Sequence, residues 1–463
     1  MSKHGKPAAV TRRDALLGAT ALGGAALSAD LGAAARVEPS PPDLAFLKNQ
    51  PLVNADRLRF FMREAGLDAV VVARPANVFY LSNHWPQLDR MGWTGAAIAV
   101  YPADPKRPIA LVMHAFLYYY THSPESLFTD RLVFPYTQPG ALPPGARADQ
   151  EPPAAPGRSM RVQDESRMSD RDRQRAAALA TARPTSADAS WALAKALREL
   201  GLQHSVVGID DPELEVTLRT RGFSAAIRPG ENVLRRTRMA KSEVEIRLMR
   251  LAAQNNMTAA MAAASQAREL GSTRLLRSKF FSEAALRGNL GVFMVVNGTS
   301  TEVLDEPIRE GMALSIDCVS TCRFYHGDFA RTIFVGEPAA PVQRAAKAIA
   351  TAWGDIRSQL RAGLRFADIP RLGRESLKKQ GVDLNVSFTP HSVGLFHTDH
   401  PQPSLLMPRT PEELVLEENM ILSVDCPVME SGLGGTLHLE DLMLIRKDGA
   451  EAIHDVATSV VVV

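Results

Sequence analysis

The most restrictive feature of this sequence is a pair of aspartates placed inside apolar β-strand segments. The stretch SIDCVSTCRFYHGDFARTIFVG (315–336) predicts two apolar strands joined by a short loop, with Asp317 in the first strand and Asp328 in the second. An unpaired buried carboxylate is costly, and two carboxylates that face each other repel, which raises one of their pKa values. A bound divalent cation would remove both penalties, so this pair predicts a metal site within the sheet.

Three further residues fit the same site. His391 stands in FTPHSVGLFHTDHP, Asp425 ends the apolar run MILSVD, and Glu440 precedes an apolar strand in GTLHLEDLMLI. Carboxylates with one imidazole form a hard ligand set, which favours manganese, iron, cobalt or zinc over copper. Bridging carboxylates can hold two such ions about 3.5–4 Å apart with a hydroxide between them. We therefore expect one or two divalent metal ions here.

Composition and charge exclude several classes of protein. The 463 residues are enough for two or three domains, and 45% hydrophobic with 22% charged residues is ordinary for a globular protein. A formal charge of +2 gives no reason to expect a nucleic-acid or membrane-surface partner. Three cysteines are too few for a disulfide framework. Cys318 and Cys426 each follow a candidate ligand, so strand alternation points their thiols away from the metal; a bridge between them after export is the alternative to buried free thiols.

The first 35 residues resemble a twin-arginine export signal. Arg12 and Arg13 precede a weakly hydrophobic run from Ala15 to Ala29, and small residues that suit a signal peptidase end near Ala35. The run is too short and too rich in Ala and Gly for a stable membrane span. This pattern predicts a protein exported to the periplasm, and the alternative is a disordered basic tail.

Residues 45–235 alternate between helical and strand patterns, which predicts an α/β domain. We expect a helix over 55–64, a strand over 69–72, and a turn at Arg74–Pro75 that leads into a second apolar strand. GAAIAVYP and PIALVMH predict two more strands, and WALAKALRELGL and SVVGID resume the pattern. Between them, residues 137–190 are rich in Pro, Gly and Ala, which predicts a linker or a lid without regular structure.

Residues 236–463 predict a second, α+β domain that is mostly antiparallel. A long amphipathic helix follows Ser242, which we expect to cap it together with Glu245. Helical patterns also cover 341–362 and 366–380. Strands are expected at Val292–Val296, Ala313–Asp317, Thr332–Val335, Ile421–Val424 and Asp441–Ile445.

The order of these residues resembles the pita-bread metallopeptidases, a group that includes methionine aminopeptidase, aminopeptidase P, prolidase and creatinase. GDFARTIFVG and HLEDLMLIRKDGAEAI resemble the segments around the second aspartate and the last glutamate, and RPANVFYLSN resembles the N-terminal domain of the prolidase and creatinase branch. The resemblance runs from about Leu47 to the C-terminus. It implies a pita-bread catalytic domain and a homodimer in which the N-terminal domain helps to form the partner's active site. The metal ligands that it implies are Asp317, Asp328, His391, Asp425 and Glu440.

The sequence also departs from the family pattern at three places. Asp425 stands where a glutamate is usual, His438 stands where prolidase-like members often have arginine, and the segment VVNGTSTEVLDEPIREGM lacks the histidine that the peptidases carry. His397 best matches the second active-site histidine of the family, one residue early, and we expect it to orient a carbonyl or donate a proton. His438 lies two residues before Glu440, so it faces the same side and suits a substrate contact. His326, His400 and Tyr325 are equally well explained as structural residues.

Three functions follow from these residues. The first is a metal-dependent hydrolase like Xaa-Pro aminopeptidase or prolidase, which cleaves an amide bond of a small peptide by a metal-bound hydroxide. The second is a creatinase-like hydrolase or lyase of a small polar metabolite, which the absent histidine and His438 favour. The third is a binding protein without catalysis on the same fold, which the complete acidic and histidine set argues against.

Overall fold

The computed structural model describes residues 43–463 except 49, 87–90, 92–95, 122–130, 148, 156–160, 302, 403–412 and 456–457. The predicted export signal at 1–35 lies outside the described residues. None of the described helices combines the length and the apolar character needed to span a lipid bilayer.

The N-terminal region is built on a six-stranded sheet. Its strand order is β4-β3-β2-β1-β5-β6, with β1 antiparallel to β2 and parallel to β5, which is itself parallel to β6. The strands predicted at 69–72, GAAIAVYP and PIALVMH are confirmed, because their β-branched and apolar residues are buried on both faces of the sheet. The strands are β1 (Ala69–Val72), β2 (Ala97–Pro102), β3 (Ile109–His114), β4 (Arg131–Tyr136), β5 (Val207–Ile209) and β6 (Ile227–Pro229).

Helices cover this sheet and lead into the second region. Capping residues and apolar faces form them where the sequence predicts, including the helices expected over 55–64 and at WALAKALRELGL. The helices are α1 (Ala55–Glu64), α2 (Pro75–Ser82), α3 (Ala115–Thr121), α4 (Asp170–Thr181), α5 (Ala189–Glu199), α6 (Glu213–Thr220) and α7 (Glu231–Met239). Single 3-10 turns lie at Ala45–Leu47 and Glu165–Arg167.

The strand predicted after Arg74 is wrong, because this segment forms helix α2. Pro75 occupies the first turn of the helix, where a missing N–H costs nothing, and Asn83 ends it in the left-handed conformation with φ 58°. From Ala76 to Ser82 every side chain is buried. A run that is buried on every side has no clear hydrophobic periodicity by which to separate a buried helix from a buried strand.

The segment 137–190 is irregular at first but is not a structureless linker. Helix α4 occupies its second half, and the hydroxyl of Ser169 and the carboxylate of Asp172 form a capping box at its start. Alanine and arginine are strong helix formers, so the sequence SDRDRQRAAALA held a helix signal that the Pro-rich composition around it concealed.

The second region contains two four-stranded sheets with helices packed outside them. The long helix expected after Ser242 is confirmed, with both halves of its capping box formed. One sheet has the order β14-β9-β8-β7 and the other β10-β11-β12-β13. The strands are β7 (Leu290–Val296), β8 (Ala313–Cys322), β9 (Tyr325–Phe334), β10 (Thr389–Ser392), β11 (Ile421–Asp425), β12 (Met443–Ile445), β13 (Ala450–Ala452) and β14 (Val460–Val462). The helices are α8 (Glu243–Ala264), α9 (Ala267–Leu270), α10 (Thr273–Leu286), α11 (Ala340–Arg357) and α12 (Asp368–Lys379).

Strands β8 and β9 form a long hairpin, and helix α8 lies directly on it. The second strand begins seven residues before the predicted Thr332, since Tyr325 already pairs with Cys322. A Cβ on Gly327 would lie 2.4 Å from Asn256 Cβ and 2.6 Å from the Ala252 carbonyl oxygen, so only glycine permits this close approach. This contact therefore fixes the position of the hairpin relative to helix α8, one residue away from Asp328.

Candidate metal centre

The two aspartates of the hairpin face the same side of their sheet. Asp317 pairs in register with Ala330, and Asp328 lies two residues along the same strand, so both side chains project from one face. Asp328 is almost fully buried, at 1% exposed. The fold therefore does place two carboxylates inside a sheet. Within the described residues neither of them pairs with a lysine or arginine, and Asp328 has the imidazoles of His391 and His397 at 3.7 and 3.1 Å.

The second sheet brings the other candidate ligands to the same point. Glu440 exchanges backbone hydrogen bonds with Ala330 at 3.1 and 3.3 Å, and this bridge joins the two sheets. Ser423 on β11 donates its hydroxyl to the Glu440 carboxylate. Asp425 ends the same strand β11, and its register places it beside β10.

His391 on β10 presents one ring nitrogen to these carboxylates. Its Nδ1 lies 3.2 Å from the carbonyl oxygen of His397, and because a carbonyl only accepts, Nδ1 must carry the proton. Nε2 faces the carboxylates, 3.3 Å from Asp425 Oδ2 and 3.7 Å from both Asp328 Oδ2 and Glu440 Oε1. These acids outweigh burial and raise the pKa of His391 well above its ordinary value, so a metal would displace the proton from Nε2 and leave Nδ1 protonated. This is the tautomer that a metal-binding histidine needs.

The pKa values of the acids in this cluster are shifted in opposite directions. Burial and the neighbouring Asp328 raise the pKa of Asp317 to about 7, and burial with Asp328 and Asp425 raises the pKa of Glu440 well above its ordinary value. Burial also disfavours a charged Asp425, but the adjoining imidazoles of His391 and His438 outweigh it and hold the pKa of Asp425 far below its usual range. Protein groups alone thus leave the acids competing for protons, whereas a divalent cation would keep them all deprotonated.

Unpartnered polar atoms give the clearest sign of a metal. Ligand atoms of Asp317, Asp328 and Glu440 lie within 4.8 Å of one another, as do those of His391, Asp425 and Glu440. Buried polar groups normally have partners, so a convergence of orphaned ones calls for an explanation. The buried atoms of this cluster without a hydrogen bond are Asp317 Oδ1, Asp328 Oδ1 and Oδ2, His391 Nε2, His438 Nε2 and Glu440 Oε2. This oxygen-rich set with one histidine fits a hard divalent ion.

The two histidines proposed for catalysis both lie at this cluster. His397 Nε2 is 3.1 Å from Asp328 Oδ2, its ring stacks on His391 at 4.8 Å, and its side chain is 41% exposed. Asp328 outweighs burial and raises the pKa of His397. His438 Nε2 lies 3.5 Å from Asp425 Oδ1. A half-exposed imidazole beside the carboxylates has access both to the centre and to a substrate.

The two histidines and the tyrosine left open by the sequence all have structural partners. Tyr325 donates its hydroxyl to Glu245 at 3.0 Å, and His400 Nδ1 lies 3.4 Å from the amide nitrogen of Ser392. His326 Nδ1 lies 3.3 Å from the Gly394 carbonyl oxygen, and its ring lies 6.3 Å from that of His397. Strand alternation could have predicted that His326 lies near the site, because it is two residues before Asp328 and faces the same side of the strand.

The cysteines take no part in the cluster. All three are free thiols, and burial raises the pKa values of Cys318 and Cys426 well above the ordinary value. Cys318 packs in the apolar core under α8 and α10, and Cys426 packs in the core under α11 and α12. The two thiols therefore belong to different cores.

Comparisons with known proteins agree with this architecture. Residues 234–447 match the model of metallopeptidase family M24, and residues 55–144 match the creatinase/prolidase N-terminal domain. The predicted α/β domain followed by a pita-bread α+β domain is thereby confirmed.

Relatives and solved structures with this architecture are distant in sequence. A probable dipeptidase PepE from Mycobacterium tuberculosis is 26% identical over 242 residues, which cover 50% of this chain and 63% of that protein. An Xaa-Pro dipeptidase from Pyrococcus horikoshii is 24% identical over 267 residues, covering 56% and 73%. The structure of an Xaa-Pro dipeptidase from Bacillus anthracis matches with a TM-score of 0.62 at 17% identity, and that of an X-Pro aminopeptidase from Thermotoga maritima with 0.60 at 16%. These two matches cover 88% and 89% of this chain and 99% of each structure, and they show the shared fold.

Proposed function

This chain belongs to metallopeptidase family M24, and from that premise we propose that it is a metal-dependent hydrolase of the Xaa-Pro dipeptidase or aminopeptidase type. Its substrate is a small peptide, and the bond cleaved is an amide. The observation that carries the proposal is the convergence of orphaned buried atoms from Asp317, Asp328, His391 and Glu440 on one point. The names of the similar dipeptidases support the substrate class.

The chain's own residues divide the work of such a reaction. One or two divalent ions, manganese, iron, cobalt or zinc, would be held by the five predicted ligands and would polarise the substrate carbonyl and activate a water. Glu440, whose Oε2 has no hydrogen-bond partner, would be the carboxylate to take up a proton from the attacking water. His397 is half-exposed beside Asp328 and donates a proton to the leaving amine. His438, next to Asp425, contacts the substrate.

A second candidate is a creatinase-like hydrolase or lyase of a small polar metabolite. Two features favour it: residues 295–312 contain no histidine, and His438 replaces the arginine of prolidase-like members. The third candidate, a binding protein without catalysis, gives no reason to retain buried carboxylates that lack partners.

The first test is the metal content of the protein purified without chelator, beside an Asp328→Ala variant. We expect about one to two equivalents of manganese, iron, cobalt or zinc in the wild type and a loss in the variant. A panel of Xaa-Pro peptides and small amides then separates the peptidase from the metabolite enzyme. A folded wild type that binds no metal would exclude the proposed hydrolase.

We also propose that the protein is exported to the periplasm by the twin-arginine route and acts as a homodimer. The Arg12-Arg13 pair before a weakly hydrophobic run supports export, and the family resemblance supports the dimer. Replacing both arginines with lysine is expected to leave the protein in the cytoplasmic fraction. Light scattering of the purified protein is expected to give twice the mass of the mature chain, and a monomer would contradict the dimer.

A further inference from the structure

The loop 392–402, which carries His397 to the metal centre, is held by a buried ionic contact. Asp399 lies in this loop at 0% exposed, and its carboxylate accepts from Arg238 Nε at 2.9 and 3.1 Å. Arg238 Nη2 lies 2.9 Å and Lys241 Nζ 3.6 Å from the same carboxylate, and both cations are buried. Burial alone would raise the pKa of Asp399, but Arg238 and Lys241 outweigh it and hold that pKa below the ordinary value. The loop is therefore held in place by a carboxylate that stays deprotonated.

The other end of this contact is anchored in the N-terminal region. Arg238 belongs to helix α7, which spans the predicted domain boundary, and its Nη1 donates to Asn77 Oδ1 at 3.1 Å. The Asn77 amide in turn donates to Asp210 at 2.9 Å and to Glu231 at 2.8 Å. A chain of hydrogen bonds thus runs from the end of the six-stranded sheet through Arg238 to Asp399.

Inside the loop, Asp399 also organises the backbone. The amide nitrogen of Leu395 donates to Asp399 Oδ2 at 3.1 Å, and the amide nitrogen of Asp399 donates to the Ser392 carbonyl at 2.9 Å. A Cβ on Gly394 would lie 2.6 Å from both Asp399 Oδ2 and Lys241 Nζ, so the carboxylate and the ammonium group pack closely against the loop backbone at Gly394. The Asp399 carboxylate is thus held by Arg238 and Lys241 and also accepts from an amide of its own loop. These contacts together fix the conformation of the loop.

That conformation delivers two groups to the metal centre. The imidazole of His397 is placed 3.1 Å from Asp328, and the carbonyl of His397 accepts the Nδ1 proton of His391. We propose that Asp399, clamped by Arg238 and Lys241, is a positioning residue of the metal centre, because it fixes the loop that sets the tautomer of His391 and the place of His397. The part that concerns turnover rests on the proposed hydrolase function, whereas the part that concerns metal binding does not.

The test is an Asp399→Asn variant of the full chain, which keeps the size of the side chain and the acceptor for Leu395 but removes the charge. With Mn²⁺ as the probe, titration calorimetry is expected to show binding about 10- to 100-fold weaker than in the wild type. Arg238→Lys keeps a buried cation and is expected to lose less than Arg238→Gln. It also provides a milder variant should Asp399→Asn fold poorly.

The matched control is Arg277→Gln, because Arg277 is buried and donates to the carbonyls of Met294, Thr299 and Leu304, all outside this loop. This control is expected to lower thermal stability and to leave Mn²⁺ affinity within about twofold in the folded protein. Wild-type affinity in Asp399→Asn, or the same loss in Arg277→Gln, would overturn the proposal.

Turnover gives a second readout that a general loss of stability does not imitate. At saturating Mn²⁺, Asp399→Asn is expected to lower kcat with little change in KM, and to lower it no further when His397 is already alanine. Equal losses in both backgrounds would show that Asp399 does not act through His397. If the wild type hydrolyses nothing on the peptide panel, the proposed function fails, and Mn²⁺ affinity with a crystal structure of Asp399→Asn still decides the positioning role. In that structure, His397 is expected to have left Asp328.

Discussion

At the scale of single residues, charge and hydrogen bonding separate the side chains that would hold a metal from those that would move a proton. Asp328, His391 and Glu440 are buried, and each has at least one ligand atom without a hydrogen bond. His397 differs, because it is 41% exposed and already contacts Asp328. Its exposure allows it to meet a substrate, whereas a buried ligand meets only the ion.

This difference predicts separate effects of substitution. His397→Ala is expected to lower kcat roughly 10²- to 10⁴-fold, the range for losing a general acid, while metal content stays at the wild-type level. The measurements are steady-state kinetics and elemental analysis of the same preparation. His204→Ala, an exposed histidine of the N-terminal region, is the matched control and is expected to change neither quantity. Full activity of His397→Ala would remove this residue from the mechanism.

At the scale of elements, the contact between helix α8 and the β8–β9 hairpin positions half of the site. Asn256 on α8 donates to the Cys318 carbonyl and accepts from Ser320 Oγ, both at 2.7 Å. Gly327 allows the helix to approach the strand that carries Asp328. The helix therefore acts as a fixed support against which the two aspartates are held.

Gly327→Ala tests this support. The added methyl meets the backbone of α8, which cannot move as a side chain would, so we expect a loss of about 1–3 kcal/mol in the free energy of unfolding. Metal content is expected to fall as well, because the hairpin must shift. Gly354→Ala is the matched control, since nothing lies within 4 Å of its added methyl in helix α11, and there we expect a gain of about 0.5–1 kcal/mol. Denaturant unfolding measures both, and equal effects of the two substitutions would contradict this account.

At the scale of the whole molecule, two sheets from distant parts of the chain share one buried charged centre. The pKa of Asp317 rises from 3.8 to about 7 in the metal-free fold, so between these values the folded chain holds a proton that the unfolded chain has lost. The stability of the metal-free protein therefore falls as the pH rises through this window. Metal binding displaces that proton and becomes stronger over the same window.

Removing the metal should thus have an effect that depends on pH. The difference in Tm between the metal-loaded and the chelator-treated protein is expected to be small near pH 5 and to grow up to about pH 8. Calorimetry at a series of pH values measures it. In Asp328→Ala, which loses a ligand, the difference is expected to vanish at every pH. A difference that shrinks as the pH rises would show that Asp317 is not deprotonated on binding.

Much of the fold and of the site could be predicted because the relevant signals are local. Strand alternation, the Ser242 capping box and carboxylates in apolar strands are each contained within a few residues. The strand predicted at Pro75–Ser82 was wrong because this run is buried on every side and so has no hydrophobic periodicity that would indicate a helix. The helix at Asp170–Thr181 was missed because composition was averaged over a longer segment.

The sequence by itself determined which ligand types are present and that Asp317, Asp328 and Asp425 lie in or at the end of apolar strand segments, because periodicity and residue chemistry are properties of the chain alone. Only the tertiary structure decided that they meet, since the Ala330–Glu440 bridge and the Arg238–Asp399 pair join residues far apart in the chain. Asp399 lies 161 residues from its partner, and no short pattern in the sequence marks the two as neighbours. Contacts of this kind depend on how whole sheets and helices pack, and that packing arises only when the chain has folded.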